Sequence, residues 1–173
     1  SVTVDSENVT DVTAYDYYLK GKNYYQTNKP EDLEFAESMF TKALEVDQKF
    51  ALAHTGLSDV YAFQYMAYYD RSPERIAMAE DRARKALRID PTLPEAHRSL
   101  GRYYMNLRDF DKAEESFLKA IAISPKYAVG YRTLAWLAEL RGNHDEALRW
   151  AKMTLTLAPT DLETLLLISL VYM

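Results

Sequence analysis

The chain has 173 residues, enough for a domain with a substantial core; 48% are apolar and 27% charged, as in an ordinary globular protein. The net charge of −5 arises entirely within residues 1–50, where ten acids face five bases, and no basic block or stripe invites nucleic acid or an anionic membrane. Without cysteine there is no disulfide framework and no thiolate metal site, and no segment reaches the roughly 18 consecutive apolar residues of a membrane span.

Residues 1–13 carry no apolar periodicity and are expected to form an extended lead-in; SVTVDSENVT also lacks the basic start and apolar core of a signal peptide. From there apolar residues recur at helical spacing, predicting helices at about 14–27, 31–46, 51–68, 73–89, 94–107, 110–123, 128–141, 144–157 and 161–173. Thr92 with Glu95, Asn143 with Glu146 and Thr160 with Glu163 have capping-box spacing, and Ser72 before Pro73 marks a further start. The five glycines and six prolines leave little room for a β-rich fold. The chain closes on LISLVYM in mid-pattern, which reads as an excised piece of a longer protein.

The helices repeat. Ala36, Ala79, Ala113 and Ala147 are spaced 43, 34 and 34, as are Ala43, Ala86, Ala120 and Thr154; Pro91, Pro125 and Pro159 follow at 34 and 34. A column of small residues runs through Gly21, Ser58, Gly101, Ala135 and Ser169, and three positions later stand Tyr24, Tyr61, Tyr104, Ala138 and Tyr172. Four positions before the small column are Tyr17, His54, His97, Tyr131 and Leu165. The step of 43 is 34 plus nine inserted residues around QYMAYYDRSP, expected to lengthen a helix and its loop; three more are inserted around TNKPED.

These columns resemble the tetratricopeptide repeat (TPR) family: His97, Leu100-Gly101, Tyr104, Ala113, Phe117, Ala120 and Pro125 carry its pattern in the third unit. The resemblance implies an all-α fold, a right-handed α-solenoid of antiparallel helix pairs A and B. It covers residues 14–173 as units of about 14–48, 51–91, 94–125 and 128–159, with the first helix of a fifth at 161–173. Small residues at Gly21, Ala36, Ala43, Ala79, Ala86, Gly101, Ala113, Ala120 and Ala147 are the expected packing positions, where helix A approaches helix B. Glycine costs a helix interior about 1 kcal/mol relative to alanine. At Gly101 close packing is expected to offset that cost, with Tyr104, Phe117 and Leu100 filling the gaps beside it.

A search for chemistry returns little. His54 and His97 share a packing column with Tyr17 and Tyr131, and His144 opens a helix with no partner at metal-ligand spacing. Glu114-Glu115 and Asp145-Glu146 read as solvated charge on B helices. There is no phosphate loop, nucleophile motif or zinc spacing. The chain is therefore expected to be no enzyme, with no cofactor, metal, nucleic acid or membrane contact of its own. Catalysis would need a further domain.

The resemblance implies a concave groove lined by A helices. Its columns assign to a partner groove Tyr15, Tyr18, Lys22 and Tyr25, then Asp59 and Phe63, then Arg98, Arg102 and Asn106, then Arg132 and Trp136. Tyr, Trp and Arg are enriched at binding hot spots, and arginine forks onto carboxylates, so the expected partner is a peptide or protein segment of acidic and aromatic character. The alternative is that the arginines pair with Glu95, Glu139 and their neighbours and contribute little. The carboxylate clamp by which some TPR domains hold chaperone tails would fall on Tyr18, Lys22, Gly56, Glu95 and Ser99, a poor match. AYDYYLKGKNYY, ALAHTGLSDVYAF and DPTLPEAHRSLG are similar to TPR regions of bacterial adenylate cyclases, kinases and winged-helix regulators. That implies the interaction or sensory arm of a signalling protein, cytoplasmic or, alternatively, extracytoplasmic on a membrane-anchored protein. A second reading is a homodimer through the apolar segment 161–173.

Overall fold

The computed structural model describes residues 11–172; of the lead-in expected over residues 1–13, residues 1–10 lie outside them, and Val12 and Thr13 belong to the first helix. The described residues form only helices: α1 (Val12–Tyr25), α2 (Pro30–Val46), α3 (Ala51–Met66), α4 (Pro73–Ile89), α5 (Pro94–Asn106), α6 (Phe110–Ile123), α7 (Ala128–Leu140), α8 (His144–Leu157) and α9 (Leu162–Val171). Each A helix packs on the B helix that follows it, α1 on α2, α3 on α4, α5 on α6 and α7 on α8. This is the all-α architecture of a helical-repeat solenoid. The chain divides into two compact units, Ser1–Ile89 and Asp90–Met173.

Helix starts follow side-chain chemistry, with three corrections. The first helix begins at Val12 because the Asp11 carboxylate accepts from the Thr13 amide (2.7 Å). Thr92 does not cap α5: its hydroxyl is taken by Asp90 (2.8 Å), and Leu93 stands at the cap with Pro94 in the first turn. At α9 the cap is Asp161, not Thr160, and its carboxylate accepts from the Thr164 amide (3.0 Å) and hydroxyl (2.6 Å). Asn143 caps α8 and bonds the Glu146 side chain (2.7 Å), while the Ser72 hydroxyl accepts from the Arg75 amide (3.2 Å).

The A-to-B turns share one device. Asn28 (φ 57°), Tyr68 (64°), Arg108 (61°) and Gly142 (75°) each adopt the left-handed conformation after an A helix. After the last three the following amide reaches back five residues, Tyr69 to Gln64, Asp109 to Tyr104 and Asn143 to Ala138, satisfying carbonyls that the helix end leaves open, whereas after Asn28 the Lys29 amide donates to the Thr27 hydroxyl (3.3 Å). The nine-residue insertion is spread evenly. Helix α3 has 16 residues against 13 in α5, and α4 has 17 against 14 in α6. The remainder lengthens the turn at 67–72.

In the first unit the fully buried Phe40 ring lies against both Gly21 of α1 and Gly56 of α3, in space that a β-carbon on either would invade. Ser58 of α3 donates to the Ala79 carbonyl of α4 (2.8 Å), a bond that needs small side chains on both helices. In the second unit the Phe117 ring of α6 occupies the corresponding space over Gly101 of α5. Phe117 is thus the contact at the glycine itself, rather than a filler beside it. Ala36, Ala43, Ala79, Ala86, Ala113, Ala120 and Ala147 are completely buried. Trp150 packs on both core clusters of the second unit, one around Phe117 and Leu134, the other around Ala147 and Leu167.

Candidate partner-binding surface

The residues of the predicted groove separate by accessibility. In the first unit, α1 carries Tyr15, Tyr18, Lys22 and Tyr25 along one side. Tyr18 is buried, wedged against Phe50 (ring centroids 5.3 Å) and Phe40 (5.8 Å). Tyr15 remains 46% exposed over Tyr18, and the exposed Lys22 ammonium lies 5.7 Å from the Tyr18 ring centre. Tyr25 meets Phe63 of α3 edge-on (6.2 Å), and Phe63 in turn meets Tyr69 (6.4 Å). Asp59, also on α3, is only 6% exposed.

In the second unit Arg98 is 9% exposed, whereas Arg102 and Asn106, one and two turns further along α5, are half-buried. On α7, Arg132 and Trp136 occupy the matching i and i+4 positions, both half-buried, and Trp136 rests on the cluster around Ala135 and Leu167. Arg132 does not pair with Glu95 or Glu139. Its Nη1 reaches the Asp161 carboxylate (2.7 Å) and its Nε reaches Glu163 (3.3 Å), while Glu139 is engaged by His144 (2.8 Å). Burial raises the Asp161 carboxyl, but the Thr164 hydroxyl, Arg132 and the Thr164 amide together hold it below the ordinary value of 3.8.

The histidine column has a structural role that the sequence did not disclose. His54 Nε2 donates to the Gln48 carbonyl (3.2 Å), His97 Nε2 to the Pro91 carbonyl (2.9 Å) and the Tyr131 hydroxyl to the Pro125 carbonyl (3.1 Å). Each pins the turn six residues before it, so at these three positions of the column the ring carries a donor that holds the preceding turn. Among the described residues, no group of three or more His, Asp or Glu could hold a metal ion.

Sequence reasoning also missed the order in the insertion. Arg71 lies over Tyr65 (4.7 Å) and Tyr68 (4.4 Å), and Asp70 accepts from the Ser72 amide (2.9 Å) and from Arg75 Nε (2.8 Å). The Ser72 hydroxyl, the Arg75 guanidinium and the Ser72 amide, in that order, lower the Asp70 carboxyl to about 2. The Tyr69 hydroxyl donates to the Asn28 carbonyl (3.4 Å), tying the insertion to the α1–α2 turn. The dense run of aromatics and the Asp-x-Ser spacing were the available signals.

At the other end of the chain, Leu162, Leu166 and Leu170 of α9 form an i, i+4, i+8 stripe that is 73%, 67% and 51% exposed. No described helix is long and apolar enough to cross a membrane.

Helix pairs nested on small residues, with ringed donors pinning their turns, describe a repeat, and part of the chain matches a repeat family. Residues 92–160 match the tetratricopeptide repeat family model. The TPR match covers the two complete repeats of the second unit. Among solved structures, the chain is similar to TTC0263, a TPR protein of Thermus thermophilus, at 20% identity over 92% of this chain and 98% of that one, with a TM-score of 0.66. It is similar to PilF of Pseudomonas aeruginosa at 20% identity over 92% and 67%, with a TM-score of 0.66. It is also similar to the first TPR of RPAP3, solved with an HSP90 peptide SRMEEVD, at 16% identity over 78% and 99%, with a TM-score of 0.59. At these identities the likeness is one of fold. No curated protein matches the chain.

Proposed function

We propose that the chain is a protein–protein interaction scaffold that captures an acidic, aromatic-containing segment on its A helices. The single observation that carries this reading is the set of half-exposed side chains on α5 and α7: Arg102 and Asn106 on one helix, Arg132 and Trp136 on the other, each pair at i and i+4. Arg132 already holds two carboxylates, and an acidic segment would take the place of the exposed Glu163. By itself, the first unit presents the exposed Tyr15 and, half-buried, Tyr25 against Phe63. TPR folds commonly mediate protein–protein contacts and are generally non-enzymatic, and one structural neighbour holds a peptide. That neighbour's ligand is not carried over. At the clamp positions Tyr18 and Ser99 are buried here, and Gly56 is covered by Phe40. The resemblance to TPR regions of bacterial regulators supports an interaction or sensory arm of a larger signalling protein, placed in the cytoplasm, or outside it on a membrane-anchored protein.

Selection of displayed peptides against the wild-type chain and against Arg102→Glu tests the reading. Enrichment of Asp, Glu and aromatic residues on the first, lost on the second, is expected; equal enrichment on both refutes it. The leucine stripe of α9 supports a second reading, self-association. Light scattering should then give a dimer that Leu166→Glu converts to a monomer, and a wild-type monomer at all concentrations ends that reading.

A further inference from the structure

The first unit has a cleft of about 410 Å³ where the C-terminal ends of α2 and α4 meet the start of α3. Three cations of α4 line it, Arg82, Lys85 and Arg88. Their spacing of three strings them along an arc of about 120° on the helix. Lys85 is held by Asp81 (2.8 Å), whose carboxylate also feels the charges of Arg82 and Arg88. No carboxylate among the described residues is paired with Arg82 or Arg88. Arg82 instead donates through Nη1 to Nδ1 of His54 (3.4 Å), whose Nε2 proton is given to the Gln48 carbonyl. With one ring nitrogen accepting and the other donating, His54 is neutral; it fixes the guanidinium edge without cancelling its charge. Leu44 and Ile89 supply apolar wall.

We propose that this cleft binds a small molecule through its phosphoryl group, held by the half-buried Arg82 and the exposed Arg88, with the half-buried Lys85 adding charge beside them. A tetrahedral dianion answers two guanidinium forks where a single carboxylate would leave one unmet. The volume lies at the low end for small-molecule sites and suits a phosphate with one ring-sized substituent. Free phosphate and a phosphate ester share the recognised chemistry; the Leu44 and Ile89 walls favour the ester. His54 is a positioning residue, acting through Arg82. The cations have an ordinary alternative role, since Arg88 sits in the last turn of α4 where a helix end attracts positive charge.

Calorimetric titration of the full chain with phenyl phosphate, inorganic phosphate and sodium chloride at matched ionic strength separates these. Saturable binding of phenyl phosphate is expected, weakened about tenfold or more in Arg82→Gln/Arg88→Gln with unchanged helicity. Tighter binding of phenyl phosphate than of inorganic phosphate assigns the ester, and equal binding assigns the free ion; both support the site. Heat that does not saturate, that chloride reproduces, or that the double variant retains overturns it. If the double variant loses helicity, Arg82→Lys keeps the charge and removes the fork. Weaker phosphate binding by that variant sustains the proposal, and unchanged binding refutes it.

Discussion

The Phe117 ring lies on Gly101, in the volume that a β-carbon at residue 101 would need. Alanine there gains about 1 kcal/mol of helix propensity. It also drives a methyl into a ring that is fully buried and cannot swing aside. Overpacking of this kind costs about 1–3 kcal/mol, so Gly101→Ala should lower stability on balance, by up to about 2 kcal/mol in urea unfolding. Gly142→Ala is the contrast: nothing lies within 4 Å of its added carbon, yet its φ of 75° disfavours any side chain. It should lose about 1 kcal/mol through the backbone alone, and Gly142→Asn should lose less.

Arg108 holds the equivalent left-handed position with a side chain in place. Arg108→Gly should relieve that conformation and raise stability by about 0.5–1 kcal/mol, less the stacking of its guanidinium on Phe110. A lowered midpoint would show that the stacking outweighs the strain.

His54 makes stability depend on pH near neutrality. Burial, the largest influence, holds its pKa below 6.5; the Gln48 carbonyl pulls upward, and Arg82 and Lys85 push down again. The unfolded chain takes up a proton near 6.5 while the folded ring stays neutral, so stability is whole above 6.5 and declines as pH falls through the window below it. Asp70 and Asp161 titrate in the fold below 3.8, and their stabilisation is lost only at more acid pH. Thermal midpoints between about pH 7.5 and 5 should slope downward in the wild type and run flatter in His54→Gln.

Arg132 ties α7 to the cap of α9 through Asp161. Arg132→Gln removes a charge-assisted bond worth about 1–2 kcal/mol in this half-buried setting. Amides of α9 should then exchange faster by about tenfold while those of α5 and α6 hold their rates. A uniform change along the chain would mean that the pair stabilises the unit as a whole.

The groove columns show where periodicity stops being informative. Column position alone places Tyr18 beside Tyr15 and Arg98 beside Arg102 as equivalents. In the fold Tyr15 is exposed and Tyr18 is buried against Phe40 and Phe50; Arg102 is half-buried and Arg98 nearly covered. Helical spacing specifies a direction around one axis. How much water reaches that direction depends on the size of what the neighbouring helices bring to it.

By itself the sequence determined the helix pairs, their order and the small residues on which they nest. Those features rest on local propensity and on volumes that recur at fixed intervals. Only the tertiary structure decided that Arg132 answers Asp161 and Glu163, that rings in the histidine column hold the preceding turns, and that Arg82 and Arg88 share a cleft with Leu44 and His54. Each of those joins residues from different elements or across a turn. Their distance is set by how the packed helices lie, a quantity that no spacing along one helix encodes.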